Sequence, residues 1–268
     1  MTAALHTQVQ VKPQSQPGAE VVLLCSGLGG SAGYWGAQLP ALLEAGYRVI
    51  TYDQRGTGRS RQPLPADYRI EHMAEDVLEI LRAEDVSRCH FVGHALGGLV
   101  GLQLALDQPG RLVSLSLINA WAAPNPHSAR CFDARLALLD HAGPRAYVEA
   151  QPIFLYPASW AAAQAQRVQE EVEHALEHFP GADIMKARIG ALRRFDVSER
   201  LAEIDLPVWV SSALDDVLVP ATCSERLAKA IAGSLLHLQP HGGHAHNVTA
   251  PEAFNEALLG FLTRQIQS

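Results

Sequence analysis

Short apolar runs alternate with helical patterns along most of this chain, and that alternation restricts the fold more than any other feature. "VVLLCS" (Val21–Ser26) and "YRVITYD" (Tyr47–Asp53) read as buried strands, each running into a glycine-containing loop. "IEHMAEDVLEILRAED" follows, with Ile70, Met73, Val77, Ile80 and Leu81 at the spacing of one helix face. Next come the strand "CHFVG", a helix from Ala95 to Asp107 and the strand "LVSLSLIN". Strands that alternate with helices predict an α/β fold, a mostly parallel sheet covered by helices on both faces. At 268 residues, 48% of them hydrophobic and 18% charged, the chain can build one sizeable core.

The rhythm breaks between residues 120 and 195, a region rich in Ala, Arg, Gln and Glu that offers no strand. "SARCFDARLALLDHAG", "WAAAQAQRVQEEVEHALEHF" and "ADIMKARIGALRRF" read as helices, the first closing at Gly143. Strand and helix then alternate again through "LPVWVSSA", "CSERLAKAIAG", "LLHLQP" and "PEAFNEALLGFLTRQI". The expected organisation is a core formed by residues 1–119 and 196–268, with a helical cap of residues 120–195 inserted after the sixth strand. Such a cap covers the carboxyl ends of the strands, where ligands bind in open α/β sheets.

Several classes of partner are excluded at this level. A net charge of −7 argues against nucleic-acid binding, for which a basic face is expected. No apolar run reaches the length of a membrane span, and the N-terminus has no signal-peptide pattern, so a cytoplasmic protein is expected. Cys25, Cys89, Cys131 and Cys223 are scattered, without the paired spacing of a metal or redox motif. His241, His244 and His246 are close in sequence but lack the accompanying ligands of a zinc site, so no metal and no cofactor is expected.

The chemistry centres on "FVGHALGG". Gly93-His94-Ala95-Leu96-Gly97 has the glycine spacing of Gly-x-Ser-x-Gly and lies between a predicted strand and a predicted helix, the context of a nucleophile elbow. Ala95 occupies the nucleophile position. Downstream, Asp216 in "SALDDVLVP" follows one apolar strand, and His244 in "HGGHAHN" follows the last. Elbow, acid and histidine in that order are the order of an α/β-hydrolase triad, in which the carboxylate orients an imidazole that accepts a proton. Asp215, adjacent to Asp216, is an alternative acid. "SGLGGSAGYW", directly after the first predicted strand, has glycines that leave backbone N–H groups open to an anion. Leu28 and Leu96 are the candidate oxyanion donors, with Gly27 and His94 beside them.

Other residues carry weaker signals. Tyr34, Trp35 and Trp121 are candidates for lining the pocket, although large aromatics are as much at home in a core. Asn119 and Asn247 could donate to a small polar ligand or cap turns. Arg130 and Arg135 could pair with a substrate carboxylate, but a solvated face is the commoner place for arginine.

From about Val21 to Gln265 the chain resembles the α/β-hydrolase superfamily, and "YDQRGTGRS" is similar to that superfamily's Asp-x-Arg-Gly-x-Gly-x-Ser segment. Within it the closest resemblance is to the RutD family of bacterial pyrimidine (uracil) degradation. That resemblance is carried by "SGLGGSAGYW", "YDQRGTGRS", "VGHALGGLVGLQLALD", "EAQPIFLYPASW", "DDVLVPATCS" and "GGHAHNVTAPEAFN". It implies an alanine native to the elbow and hydrolysis of carbamate or 3-aminoacrylate, small anions of nitrogen metabolism. No covalent acyl-enzyme can form at a methyl group, so the expected mechanism uses water, with His244 as general base and Asp216 as its orienting acid. Two other readings compete: a retired hydrolase that only binds a ligand, and a cofactor-free lyase or oxygenase in which the same dyad deprotonates the substrate. The expected partners are a small anionic substrate and, in a possible homodimer, a second copy of the chain.

Overall fold

A computed structural model describes residues 4–11 and 18–266. Seven strands form one sheet: β1 (Thr7–Gln10), β2 (Val21–Cys25), β3 (Arg48–Tyr52), β4 (Cys89–His94), β5 (Leu112–Ile118), β6 (Val208–Ala213) and β7 (Leu235–Gln239). Their order is β1-β3-β2-β4-β5-β6-β7, and every pairing is parallel except the edge pairing of β1 with β3. The expected α/β class is therefore what the chain adopts. β1 was not foreseen, because the polar run "TQVQ" has no apolar alternation and gains its strand geometry from β3.

Alternating side chains of the central strands feed two cores. Val22, Leu24, Val49 and Val92 pack with Leu42 of α1 (Leu39–Glu44) and with Phe254, Leu258, Phe261 and Leu262 of α12 (Pro251–Ile266). Leu23, Cys25, Ile50 and Phe91 face the opposite way, toward α2 (Ile70–Ala83) and α3 (Leu96–Asp107). The predicted apolar stripe of α2, from Ile70 to Leu81, is wholly buried there.

Six helices occupy the chain between β5 and β6: α4 (Pro126–His141), α5 (Gly143–Glu149), α6 (Gln151–Leu155), α7 (Ala158–Ala163), α8 (Ala165–Glu177) and α9 (Ala182–Arg194). Two differ from expectation. The helix expected from Trp160 to Phe179 is divided at Gln164, whose φ of −108° and ψ of 30° leave the helical range. α5 and α6 occupy a stretch for which no element is read from the sequence. Pro144 and Pro152 sit in their first turns, where a missing N–H costs no hydrogen bond. Five strands precede these helices among the described residues, where six were expected; residues 12–17, between β1 and β2, lie outside the described residues. After β6 come α10 (Ala221–Ala230) and, beyond β7, α11 (His246–Thr249). No described helix is long and apolar enough to cross a membrane.

Candidate active site

Three carboxyl-terminal strand ends bring the elbow, the acid-binding asparagine and the glycine loop together. At the elbow β4 turns into α3 through Ala95, whose φ of 49° and ψ of −111° lie outside the regions open to an L-residue without strain. The glycines around it are there for contact distance. A Cβ on Gly93 would stand 2.3 Å from the Gly97 carbonyl oxygen, and one on Gly97 would stand 2.1 Å from that of Cys25. The elbow is thus pressed directly against the end of β2. The Ala95 N–H donates to Ile118 O at 2.8 Å, which ties the turn to β5. Leu96 is the first residue of α3, where an N–H has no intrahelical acceptor.

His244 and Asp216 meet as expected: Nδ1 of the imidazole lies 2.8 Å from Asp216 Oδ2. Three further donors converge on that carboxylate, the N–H groups of Leu218 (2.8 Å) and Val219 (2.9 Å) and Nδ2 of Asn119 (2.6 Å). The carboxylate fixes the tautomer, with the proton on Nδ1 and a lone pair on Nε2. Asp215 has another task. It accepts from the Gly243 N–H at 2.8 Å and the Gly242 N–H at 3.3 Å, holding the turn that presents His244.

His94 lies against this pair, its ring centroid 4.9 Å from that of His244 and 4.8 Å from that of Tyr34. Its Nε2 donates to the His244 carbonyl at 2.8 Å. Burial, reinforced by His244, pushes its pKa well below the usual histidine value, so the ring is neutral. Nδ1 then carries a lone pair, is buried and has no partner. It points at Gly27, where a Cβ would stand 2.9 Å from Nδ1 and 3.6 Å from the Ala95 methyl.

The glycine loop is held by the "YDQRGTGRS" segment. Gln54 N–H donates to Gly30 O at 2.8 Å, Gln54 Nε2 to Ser26 O at 2.6 Å, and Asp53 Oδ1 accepts from the Ala32 N–H at 2.9 Å. Gly27 O accepts from Gly30 N at 3.1 Å, which closes the turn. Among the described residues the Leu28 N–H has no protein acceptor. Free N–H groups of Leu28 and Leu96 therefore flank the place where Gly27 meets Ala95.

Other expected site residues lie elsewhere. Trp35, 1% exposed, does not reach the site; it packs in the core under α1 and α12, on the other side of the sheet from α3. Asn119 does not offer its amide to a ligand, since Nδ2 is used on Asp216 and on the His244 carbonyl at 3.0 Å. Asn247 is likewise engaged, accepting from the Tyr34 hydroxyl and donating to Gln38. Trp121 is buried edge-on against Phe132 of α4, its indole N–H unpartnered. Arg130 is exposed as expected, but Arg135 is buried among the helices between β5 and β6, bonded to the Tyr147 hydroxyl and to Gln151. His241 is exposed and His246 bonds Ser211 Oγ at 2.9 Å, so the three late histidines do not converge on a metal. Among the described residues one group could offer three ligands, His174, Glu177 and His178, exposed at the C-terminal end of α8.

Arg188 and Gln54 were not foreseen. Arg188 of α9 reaches down to the glycine loop, its Nε donating to Leu28 O at 3.0 Å and its Nη2 to Gln54 Oε1 at 2.5 Å. A signal for it existed: Arg188 falls on the apolar stripe Met185, Ile189, Leu192, where a charged residue needs a reason.

The α/β-hydrolase fold model matches residues 20–251. A relative from Variovorax paradoxus is 66% identical over 245 residues, covering 91% of this chain and 92% of its own. Relatives from Pseudomonas syringae and Caulobacter vibrioides are 52% and 50% identical over 92% and 96% of this chain, and 95% of their own in each case. All three are named RutD and designated carbamate hydrolases. Among solved structures, a hydrolase from Pseudomonas aeruginosa superposes with a TM-score of 0.84 at 32% identity, covering 96% of this chain and 93% of the other. The enol-lactonase of Burkholderia xenovorans gives a TM-score of 0.86 at 25% identity over 97% and 96%. Fold, elbow context and identity over nine-tenths of the chain agree: this chain belongs to the α/β-hydrolase fold and, within it, to the RutD family.

Proposed function

We propose that this protein hydrolyses a small C–N compound, carbamate or 3-aminoacrylate, releasing ammonia in uracil degradation. It would act on non-peptide C–N bonds, through water and without a serine nucleophile. The observation that carries the reading is the His244–Asp216 contact at 2.8 Å, kept in full beside an elbow that holds only a methyl group. A carboxylate with four donors is a costly arrangement for a site that merely binds, which favours the hydrolase over the retired binder.

Water in the space a serine hydroxyl would fill is the nucleophile. His244 Nε2 takes its proton as the oxygen attacks the carbon bonded to nitrogen; the imidazolium is stabilised by Asp216 and returns the proton to the leaving nitrogen. Carbamate and water thus give ammonia and bicarbonate. In aminoacrylate the addition moves the C=C electron pair onto the carboxylate, its return expels ammonia, and the enol left behind takes a proton at the neighbouring carbon as it loses its hydroxyl proton to give the aldehyde acid. With carbamate, the N–H groups of Leu28 and Leu96 hold the oxyanion that forms on addition. His94 Nδ1, an unprotonated acceptor beside Ala95, suits an N–H of the substrate or a hydrogen of the attacking water.

Both substrates break down unaided, so a modest catalyst suffices. General-base catalysis of this kind contributes roughly 10²–10⁴-fold. Ammonia release from each compound, corrected for the spontaneous rate, checks the reading. His244→Ala is expected to lower the enzymatic rate by about that factor; an unchanged rate rules the mechanism out.

A further inference from the structure

Arg188 is fully buried, although arginine is among the residues least often found inside a protein. Nε and Nη2 have acceptors, but Nη1 is buried without one. Among the described residues no carboxylate pairs with it. The acidic protons nearest to it stay in place: burial holds the Cys25 thiol at about 12, the Tyr68 hydroxyl at about 12 and the Tyr52 hydroxyl well above its usual value. Among the described residues the other buried arginine, Arg135, also has an unpartnered nitrogen, Nε, but it lies over the faces of Phe132, Tyr147 and Phe154 and bonds Tyr147 and Gln151, whereas Arg188 has no ring face against it; the half-buried Arg55 is met by Asp76. An isolated buried cation with an empty donor calls for an anion from outside the chain.

Its position says which anion. Arg188 meets the glycine loop at Leu28 and Gly30, Nη2 lying 3.1 Å from where a Gly30 Cβ would be. The same loop meets the reacting centre at Gly27, against Ala95 and His94. The positive pole is thus displaced along the loop from the place where water attacks. Carbamate has its charge and its scissile carbon in one group; aminoacrylate has them separated.

We propose that Arg188 seats the substrate's carboxylate, with Nη1 donating to it, so that the site takes a short-chain acid whose scissile C–N bond is one or two carbons from the carboxylate. This rests on reading the site as a hydrolase of small C–N compounds, and it assigns the anion-binding residue to the cap helices.

Propionate and propionamide, alike in shape and different in charge, test it without turnover. Binding to the wild-type protein is read by calorimetry and by thermal shift, since a ligand of the native state raises Tm. Propionate is expected to bind at least about tenfold more tightly than propionamide. Arg188→Met is expected to lose that preference and to raise KM for aminoacrylate more than it lowers kcat. Arg188→Lys keeps the charge without the planar fork and is expected to fall between the two. It also serves if the methionine variant does not fold. A purely structural clamp would change Tm in these variants but leave the propionate-to-propionamide ratio as it was. Equal binding of the two compounds by the wild type, or an undiminished preference in both variants, overturns the proposal. If ammonia release never exceeds the spontaneous rate while the preference follows Arg188, the hydrolase reading falls and the anion seat stands. If His244→Ala abolishes turnover while the Arg188 variants keep both preference and KM, the reverse holds.

Discussion

Ala95 keeps a backbone conformation that its side chain does not use. A φ of 49° costs of order 1–3 kcal/mol, and the turn persists because Gly93 and Gly97 lock it between β4, α3 and the end of β2. Its Cα is therefore where a nucleophile's would be, with a histidine–carboxylate pair already built beside it. Ala95→Ser is expected to place a hydroxyl within reach of this pair and to produce a burst of nitrophenol from p-nitrophenyl acetate that the parent protein lacks. Absence of a burst from a folded variant would mean that His244 Nε2 is not aimed at the elbow. His94 shows how a residue can be near the chemistry yet unable to supply a strong base: buried and beside His244, it spends its one N–H on the His244 carbonyl and keeps only a weak acceptor at Nδ1.

At the scale of elements, the strand-to-helix turn was legible because its glycines record contacts of one peptide with another. Asp216 and His244 were legible from their places after successive strands. The division of α7 from α8 was not, since "AAAQAQ" carries neither proline nor glycine to mark the break. Arg188 was hidden for a related reason. On composition it is one of several arginines in "MKARIGALRR", and only the contact of α9 with the glycine loop separates it from the exposed Arg194 ion-paired to Asp67. Trp35 went the other way, to the core, because the short turn after "SGLGG" directs it behind the sheet. The helices between β5 and β6 also have an ordinary dependence on local chemistry. Asn125 caps α4 by accepting from the N–H groups of His127 and Ser128, each at 2.9 Å. Asn125→Ala is expected to lower stability by about 1 kcal/mol, read as a shift in urea midpoint at constant slope.

Across the whole molecule, buried neutral histidines couple stability to pH. Desolvation holds His246 at about 3 and His94 well below its usual value. The unfolded chain binds protons at both near the ordinary value of about 6.5, whereas the native protein does not until much lower pH. Unfolding therefore takes up protons in that interval, and stability is complete above pH 6.5 and falls as pH drops toward 3. Each group contributes up to about 1.4 kcal/mol per pH unit within its window. Thermal unfolding at pH 7.5, 6 and 5 should show a falling Tm, and His246→Gln should flatten that fall. An equal slope in wild type and variant would contradict the assignment.

The methyl group at the elbow also decides how this protein looks to a chemist. Fluorophosphonates and β-lactones find serine hydrolases by forming a bond to the elbow hydroxyl, and here there is none to bond. A proteome profiled with such reagents would pass this site by, although its fold and its histidine–aspartate pair are those of the enzymes they capture. Reversible anions, competing for the space above the glycine loop, are the reagents to which it would answer.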